Sequence, residues 1–467
     1  MTLLLTLSMM AAPARAQPVC LGVGVEGWAP QGAGLIAPPS PTPTDTCWGQ
    51  QTPGRVTSAH FAVDHDAGVS SSTARRFADA LEDAYETLVD QGWPAVRQDD
   101  RYLIQAYISE EAGGGAFTSS GTCGNGDGWM PYIVTFQDVF DGTSWAEEMA
   151  AHELNHAQQF TMGGGHEDWW WEATATWVQE QVHPRTDGWI DYVDDGYSAQ
   201  PWLAMQSAGS SDPDRFLHMY GMAIFAFHLE EHVGGADLVR GTWTYTQEVQ
   251  PSRDLAIFEV LGGMGYDFDA VYRDFVAANA TWDYDHSALL APVVLAGEAA
   301  AVPAQGDVSG ERAPEPLGQA YVSVEPAALP AATPDLGLTF EGEAGVDWGV
   351  WLVGTTGGRV RRVVTVSVGS DGVGEGRLPG AADDDAVFIV ASPWSGTARG
   401  YAWSWSIEAL EALEEDTDSS TTGGDPDHRV TGGRPLDDVG GRCGHAGGAG
   451  WLWLGGLVML RSRRLSG

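Results

Sequence analysis

The residues best able to do chemistry stand together as His152-Glu153-Leu154-Asn155-His156. Residues four apart on a helix share a face, so both imidazoles can grip one metal ion. Glu153 then points beside that ion and can take a proton from a bound water. Zinc is the expected ion, because imidazole and carboxylate ligands suit it and it makes a nucleophile without redox chemistry. With 12 His and at most 64 Glu in 467 residues, about 0.04 accidental matches to this spacing are expected. Ser144 and Glu147 form an S-x-x-E helix start signal. Trp145, Met149, His152, His156 and Phe160 then recur on one apolar face. Imidazoles on a buried face cost free energy unless hydrogen-bonded or metallated. The competing reading, two satisfied core histidines, leaves Glu153 without a role.

A catalytic zinc takes three protein ligands and keeps a fourth position for water. The metzincin pattern would place another His six residues past His156, where Met162 stands. The downstream candidates are His166, Glu167, Asp168 and Glu172. Glu172 is the choice. It lies in Trp169-Trp170-Trp171-Glu172-Ala173-Thr174-Ala175-Thr176-Trp177, which reads as a second helix after the turn Gly163-Gly164-Gly165. Ala175 and Thr176 share its face and are small enough for two helices to approach closely. His166, in the turn, is second choice. A surface carboxylate is the ordinary alternative for Glu172. Tyr220 is a candidate hydrogen-bond donor to an oxyanion, weighed against a packing role at a helix start.

Together, HELNH and WWWEATATW resemble gluzincin-type zinc metallopeptidases. More closely, they resemble secreted bacterial metalloproteases that carry an H-E-x-x-H helix and a W-x-E-A-T helix. The likeness covers about residues 55–290, around half of the chain. It implies His152, His156 and Glu172 as ligands and Glu153 as general base. One departure stands out. The thermolysin-like pattern has Asp four residues past its Glu ligand, whereas this chain has Thr176, so no carboxylate is assigned to orient a ligand imidazole.

A net charge of −41, with Arg as the only strong base, repels nucleic acid and anionic membrane and excludes both as expected partners. The acidic loop Asp187 to Asp195 is a candidate for calcium, although it lacks the residue order of an EF-hand and a solvated turn is the alternative. Leu3 to Ala12 followed by Ala14-Arg15-Ala16 reads as a secretory signal. Export would permit a disulfide, with Cys20–Cys47 the first choice and Cys47–Cys123 the alternative. At the other end, Cys443, the apolar run Ala446 to Leu460 and the cluster Arg461-Ser462-Arg463-Arg464 resemble Cys-containing C-terminal sorting signals of bacterial surface proteins. That likeness implies a sorting protease as partner, a secreted or surface-anchored location and, for the tail, a membrane-directed segment.

The expected architecture is an α+β zincin-like catalytic domain followed by an all-β sandwich domain. Residues 1–16 would be the signal, 17–54 a Gly/Pro-rich leader, 55–295 the metallopeptidase, 300–408 the sandwich, 409–442 an acidic linker and 443–467 the sorting segment. Strands are expected at Ala59–Asp64, Arg101–Ile108 and Tyr132–Phe136, and the zincin resemblance implies that the last runs along the cleft and pairs with extended substrate. A helix is expected at Ser72–Asp90 from the spacing of Phe77, Leu81, Tyr85 and Leu88, with Gly92 closing it. Gly113 to Gly128 reads as a loop. Helices are expected at Phe216–His232, Asp254–Leu261 and Tyr266–Asn279, with His218, His228 and His232 in surface or packing roles. Short strands recur from Ala320 to Ile407. The function so implied is zinc-dependent hydrolysis of protein or peptide substrates. The alternative is a surface binding protein on a degenerate zincin scaffold, and an amidase ranks below both.

Overall fold

Ser70 accepts a hydrogen bond from the Thr73 amide and so caps α1 (Ser71–Asp90). Phe77, Leu81 and Leu88 on that helix are fully buried, as their spacing requires. Gly92 then takes the left-handed conformation (φ +89°) that ends a helix without a Cβ clash. The computed structural model describes residues 43–412, except 111–114, 127, 141–144, 185, 210 and 398. These residues divide into two units, one ending at Gly164 and the other beginning at Gly165. The chain is mixed, with an α+β region followed by a β-rich region.

In the first unit α1 follows β1 (Gly54–Thr57) and β2 (Phe61–His65) and precedes β3 (Ile104–Ser109), β4 (Ala116–Thr122), β5 (Trp129–Phe136) and α2 (Trp145–Met162). The sheet order is β1-β2-β3-β5-β4. β2, β3 and β5 run parallel, and β1 and β4 close the two edges antiparallel. Two expectations need correction. The span Gly113–Gly128 is not wholly a loop, because Ala116 to Thr122 pairs residue for residue with β5. Its small polar residues conceal the strand until the partner supplies the ladder. β5, in turn, is bonded on both sides, so Tyr132–Phe136 has no edge for an extended peptide, and the edge strand on that side is β4. α2 packs on α1, β4 and β5.

The last part of the expected leader is built into this unit. Cys47 is bonded to Cys123, which replaces the first-choice Cys20–Cys47 pairing. The Trp48 amide donates to Gln105 Oε1 at 3.0 Å and the Gln51 amide to Asp64 Oδ2 at 3.1 Å. Asp64 is fully buried and takes two bonds from the Arg55 guanidinium, at 2.5 and 2.9 Å. Residues 1–42, including the signal, most of the leader and Cys20, lie outside the described residues, as do the linker from 413 onward, Cys443 and the apolar tail. Among the described residues no helix is long and apolar enough to cross a membrane.

The second unit begins with α3 (Asp168–Val182), α4 (Gly188–Tyr192), α5 (Pro213–Gly221), α6 (Ala223–His228), α7 (Ala236–Val249), α8 (Ile257–Gly263) and α9 (Phe268–Asn279). The single helix expected over Phe216–His232 is broken. α5 stops at Gly221, where a Cβ would stand 2.5 Å from Tyr192 O and 2.7 Å from Tyr197 N. Only glycine permits that approach of one backbone to another. α6 then runs on into a wider turn at Leu229–Gly234. His218 and His228 are fully buried and His232 is exposed. Burial holds the first two imidazoles down to about 3, so both are neutral packing groups. Past Asp187, which precedes α4 in the left-handed conformation, the acidic segment to Asp195 is helical, in α4 and the wider turn after it. Among the described residues, His152, His156 and Glu172 form a group of three ligand-type side chains within reach of one ion.

The β-rich region holds β6 (Gly297–Ala299), β7 (Ala304–Val308), β8 (Ala320–Val324), β9 (Asp335–Gly342), β10 (Trp348–Thr356), β11 (Arg359–Val366), β12 (Val373–Leu378), β13 (Ala386–Pro393) and β14 (Trp403–Leu410). They form two sheets, ordered β11-β10-β13-β8-β6 and β12-β9-β14-β7. Val322, Val350, Leu352 and Ile389 of one sheet share a core with Leu338, Phe340, Trp403, Trp405 and Ile407 of the other. A buried polar network joins this region to the helices before it. Tyr272 of α9 donates to Leu317 O at 2.8 Å, and Gln319 Nε2 donates to the Tyr272 hydroxyl at 2.7 Å.

Candidate metal centre

Four residues separate His152 from His156 on α2, a little over one helical turn. Their rings meet edge to face with centroids 4.7 Å apart, and their Nε2 atoms face each other at 3.1 Å. Two ligands each about 2.0–2.1 Å from a tetrahedral ion stand roughly 3.3 Å apart, so the pair is close to the spacing a shared zinc requires. The second imidazole is also held in the right tautomer. His156 Nδ1 lies 2.7 Å from Gln159 Oε1, and an amide oxygen only accepts, so Nδ1 carries the proton and Nε2 presents its lone pair. Gln159 is oriented in turn by donating from Nε2 to Asn155 Oδ1 at 2.8 Å. Both amide residues are fully buried.

Glu172 completes the set. One ligand atom from each of His152, His156 and Glu172 falls within 4.8 Å of the others, and all three residues are buried. The donor set, two imidazoles and one carboxylate, is one that catalytic zinc accepts. Glu172 sits one turn into α3, a helix whose Trp169, Trp170 and Trp177 are buried. Two indoles fix its rotation: Trp170 Nε1 donates to Thr242 Oγ1 at 3.0 Å and Trp177 Nε1 donates to Glu230 Oε2 at 2.8 Å. Ala175 and Thr176 are fully buried beside them.

The other sequence candidates are not part of that group of three. His166 is buried against Trp243, and its Nε2 donates to Thr242 O at 3.2 Å, so it serves packing rather than the three-residue cluster. Burial pushes its pKa down to about 3. Asp168 stands one turn before Glu172 and its carboxyl is pushed up to about 6, first by burial and then by the negative charges of Asp254, Glu172 and Glu167. Glu167 is raised as well, chiefly by burial. Tyr220 is buried on α5, stacked on Tyr192 with centroids 5.1 Å apart and packed against Phe216. Ser144, half of the expected capping box, lies outside the described residues, and Glu147 instead pairs with Arg76 of α1 at 2.9 Å.

Glu153 is buried on α2. Thr118 Oγ1 of β4 lies 2.7 Å from its Oε2 and 2.8 Å from its main-chain oxygen. Sequence reasoning missed Thr118 and Gln159. For Gln159 the signal was present, since it lies three residues past His156 and therefore beside it on the helix. Thr118 is 35 residues from Glu153, and nothing local marks it. No family model matches the chain, and no curated protein matches it either.

Proposed function

We propose that this chain is a zinc-dependent peptidase of zincin-like type, exported and held at the cell surface, whose β-rich region is a supporting sandwich. The observation that carries the reading is the convergence of His152, His156 and Glu172 within 4.8 Å, with Glu153 on the same helix. A divalent ion held by these three residues would acidify a water to a pKa of about 7 and polarise a carbonyl. Glu153 takes the proton from the attacking water and passes it to the leaving amine. Tyr220 remains the candidate donor to the developing oxyanion. β4, the edge strand beside β5, offers main-chain groups to an extended peptide. The substrates are therefore proteins or peptides.

The test is casein cleavage by the purified mature chain, with and without a chelator, beside Glu153→Gln and His156→Ala. The proposal requires chelator-sensitive cleavage, near-abolished turnover with metal retained in Glu153→Gln, and loss of stoichiometric zinc in His156→Ala. Full activity of Glu153→Gln would refute the role given to that carboxylate.

A further inference from the structure

We infer that Thr118 is a positioning residue for Glu153: its hydroxyl holds Oε2 of the carboxylate that takes the proton from water. This rests on the peptidase reading above.

The bond has an ordinary O–H···O length of 2.7 Å, and both partners are buried. A buried hydroxyl costs free energy unless it is bonded. Valine has the same shape and suits a strand better, so packing alone does not call for threonine here. The hydroxyl has two acceptors, Glu153 Oε2 and the Glu153 main-chain oxygen at 2.8 Å, but only one proton. Either bond can form without any heavy atom moving. A carboxylate on a helix has three side-chain torsions to settle, and one donor from a neighbouring element removes most of that freedom. The donor also comes from a particular strand. β4 is the edge at which an extended peptide would pair, and the same strand aims Thr118 inward at α2 while Phe117 and Ser119 are less buried. One strand would then set both the base and the scissile bond. Such coupling keeps the reacting atoms in register.

The experiment compares Thr118→Val, Thr118→Ser and wild type in peptide cleavage, zinc content and thermal unfolding of the metal-free protein. Thr118→Val is expected to lower kcat roughly 10- to 100-fold with KM and zinc stoichiometry unchanged, and Thr118→Ser is expected to restore most of the rate. In the metal-free protein, the unfolding shifts of Thr118→Val and Glu153→Ala are expected to be non-additive, because the second change removes the acceptor the first one loses. Should Thr118→Val fail to fold, Thr118→Ala takes its place in both measurements. Unchanged kcat in a folded variant, a change confined to KM, or additive unfolding shifts would overturn the assignment. If wild type cleaves nothing, the peptidase reading fails, while the metal-free cycle still reports on the Thr118–Glu153 bond itself.

Discussion

Removing the Gln159 amide should weaken zinc binding while leaving the fold intact. His156 Nδ1 donates to Gln159 Oε1 at 2.7 Å inside a site where Gln159 is fully buried. In Gln159→Leu the metal-free protein has an escape. The proton can move to Nε2, which faces His152 Nε2 at 3.1 Å and can donate to it. Metal binding closes that escape, because Nε2 must then offer its lone pair and the Nδ1 proton is left without an acceptor. The loss therefore falls mainly on the bound state. Leaving one buried donor unsatisfied costs about 1–3 kcal/mol, and partners of this kind are typically worth 10- to 100-fold in metal affinity. The expected weakening is about 10- to 100-fold, read by competition against a chromophoric chelator, with thermal unfolding of the metal-free variant as control. Affinity within about twofold of wild type in a folded Gln159→Leu protein would refute the reasoning.

Breaking the Cys47–Cys123 bridge, by substituting both with Ser, should cost about 4 kcal/mol by the chain-entropy relation for a separation of 76 residues, measured by denaturant unfolding. Arg55→Ala strands the buried Asp64 carboxylate and should cost about 3–5 kcal/mol in the same assay. Acid should destabilise the second unit through its buried imidazoles. His218 and His228 are held down to about 3 in the fold against about 6.5 when unfolded, so the unfolded chain binds more protons between those values. Their contribution is fully present above about 6.5 and falls by roughly 1.4 kcal/mol per pH unit for each group as the pH drops below it. Urea unfolding between pH 7 and 5 reads this slope, and replacing either histidine with Phe should flatten it by about one proton.

What was legible in the chain was what is local. α1 announces itself because Phe77, Leu81 and Leu88 return to the same buried face, and the histidine pair of α2 is fixed by helical spacing alone. Glu172 was legible because the tryptophan-rich segment around it reads as a helix directly after a glycine turn. What escaped depends on a partner far off in sequence. β4 carries too little alternation to be read until β5 is beside it. The break at Gly221 exists only because Tyr192 and Tyr197 come against that backbone. Cys47 finds Cys123 rather than the nearer Cys20 because residues 45–48 run beside the sheet: the Leu103 amide donates to Asp45 O at 2.8 Å and the Gly124 amide to Cys47 O at 2.9 Å. Thr118 reaches Glu153 for the same reason, through a pairing of strands and a helix packed on them. The missing carboxylate four residues past Glu172 proved a poor guide, since the orienting group for His156 is an amide on its own helix.

The most direct measurement is the zinc content of purified wild type and Glu172→Ala, taken together with anomalous diffraction at the zinc edge from wild-type crystals. The account predicts a single equivalent of zinc in wild type, lying between His152, His156 and Glu172, and its loss in the variant. Zinc retained at full stoichiometry in Glu172→Ala, or an anomalous peak away from the two imidazoles, would contradict it.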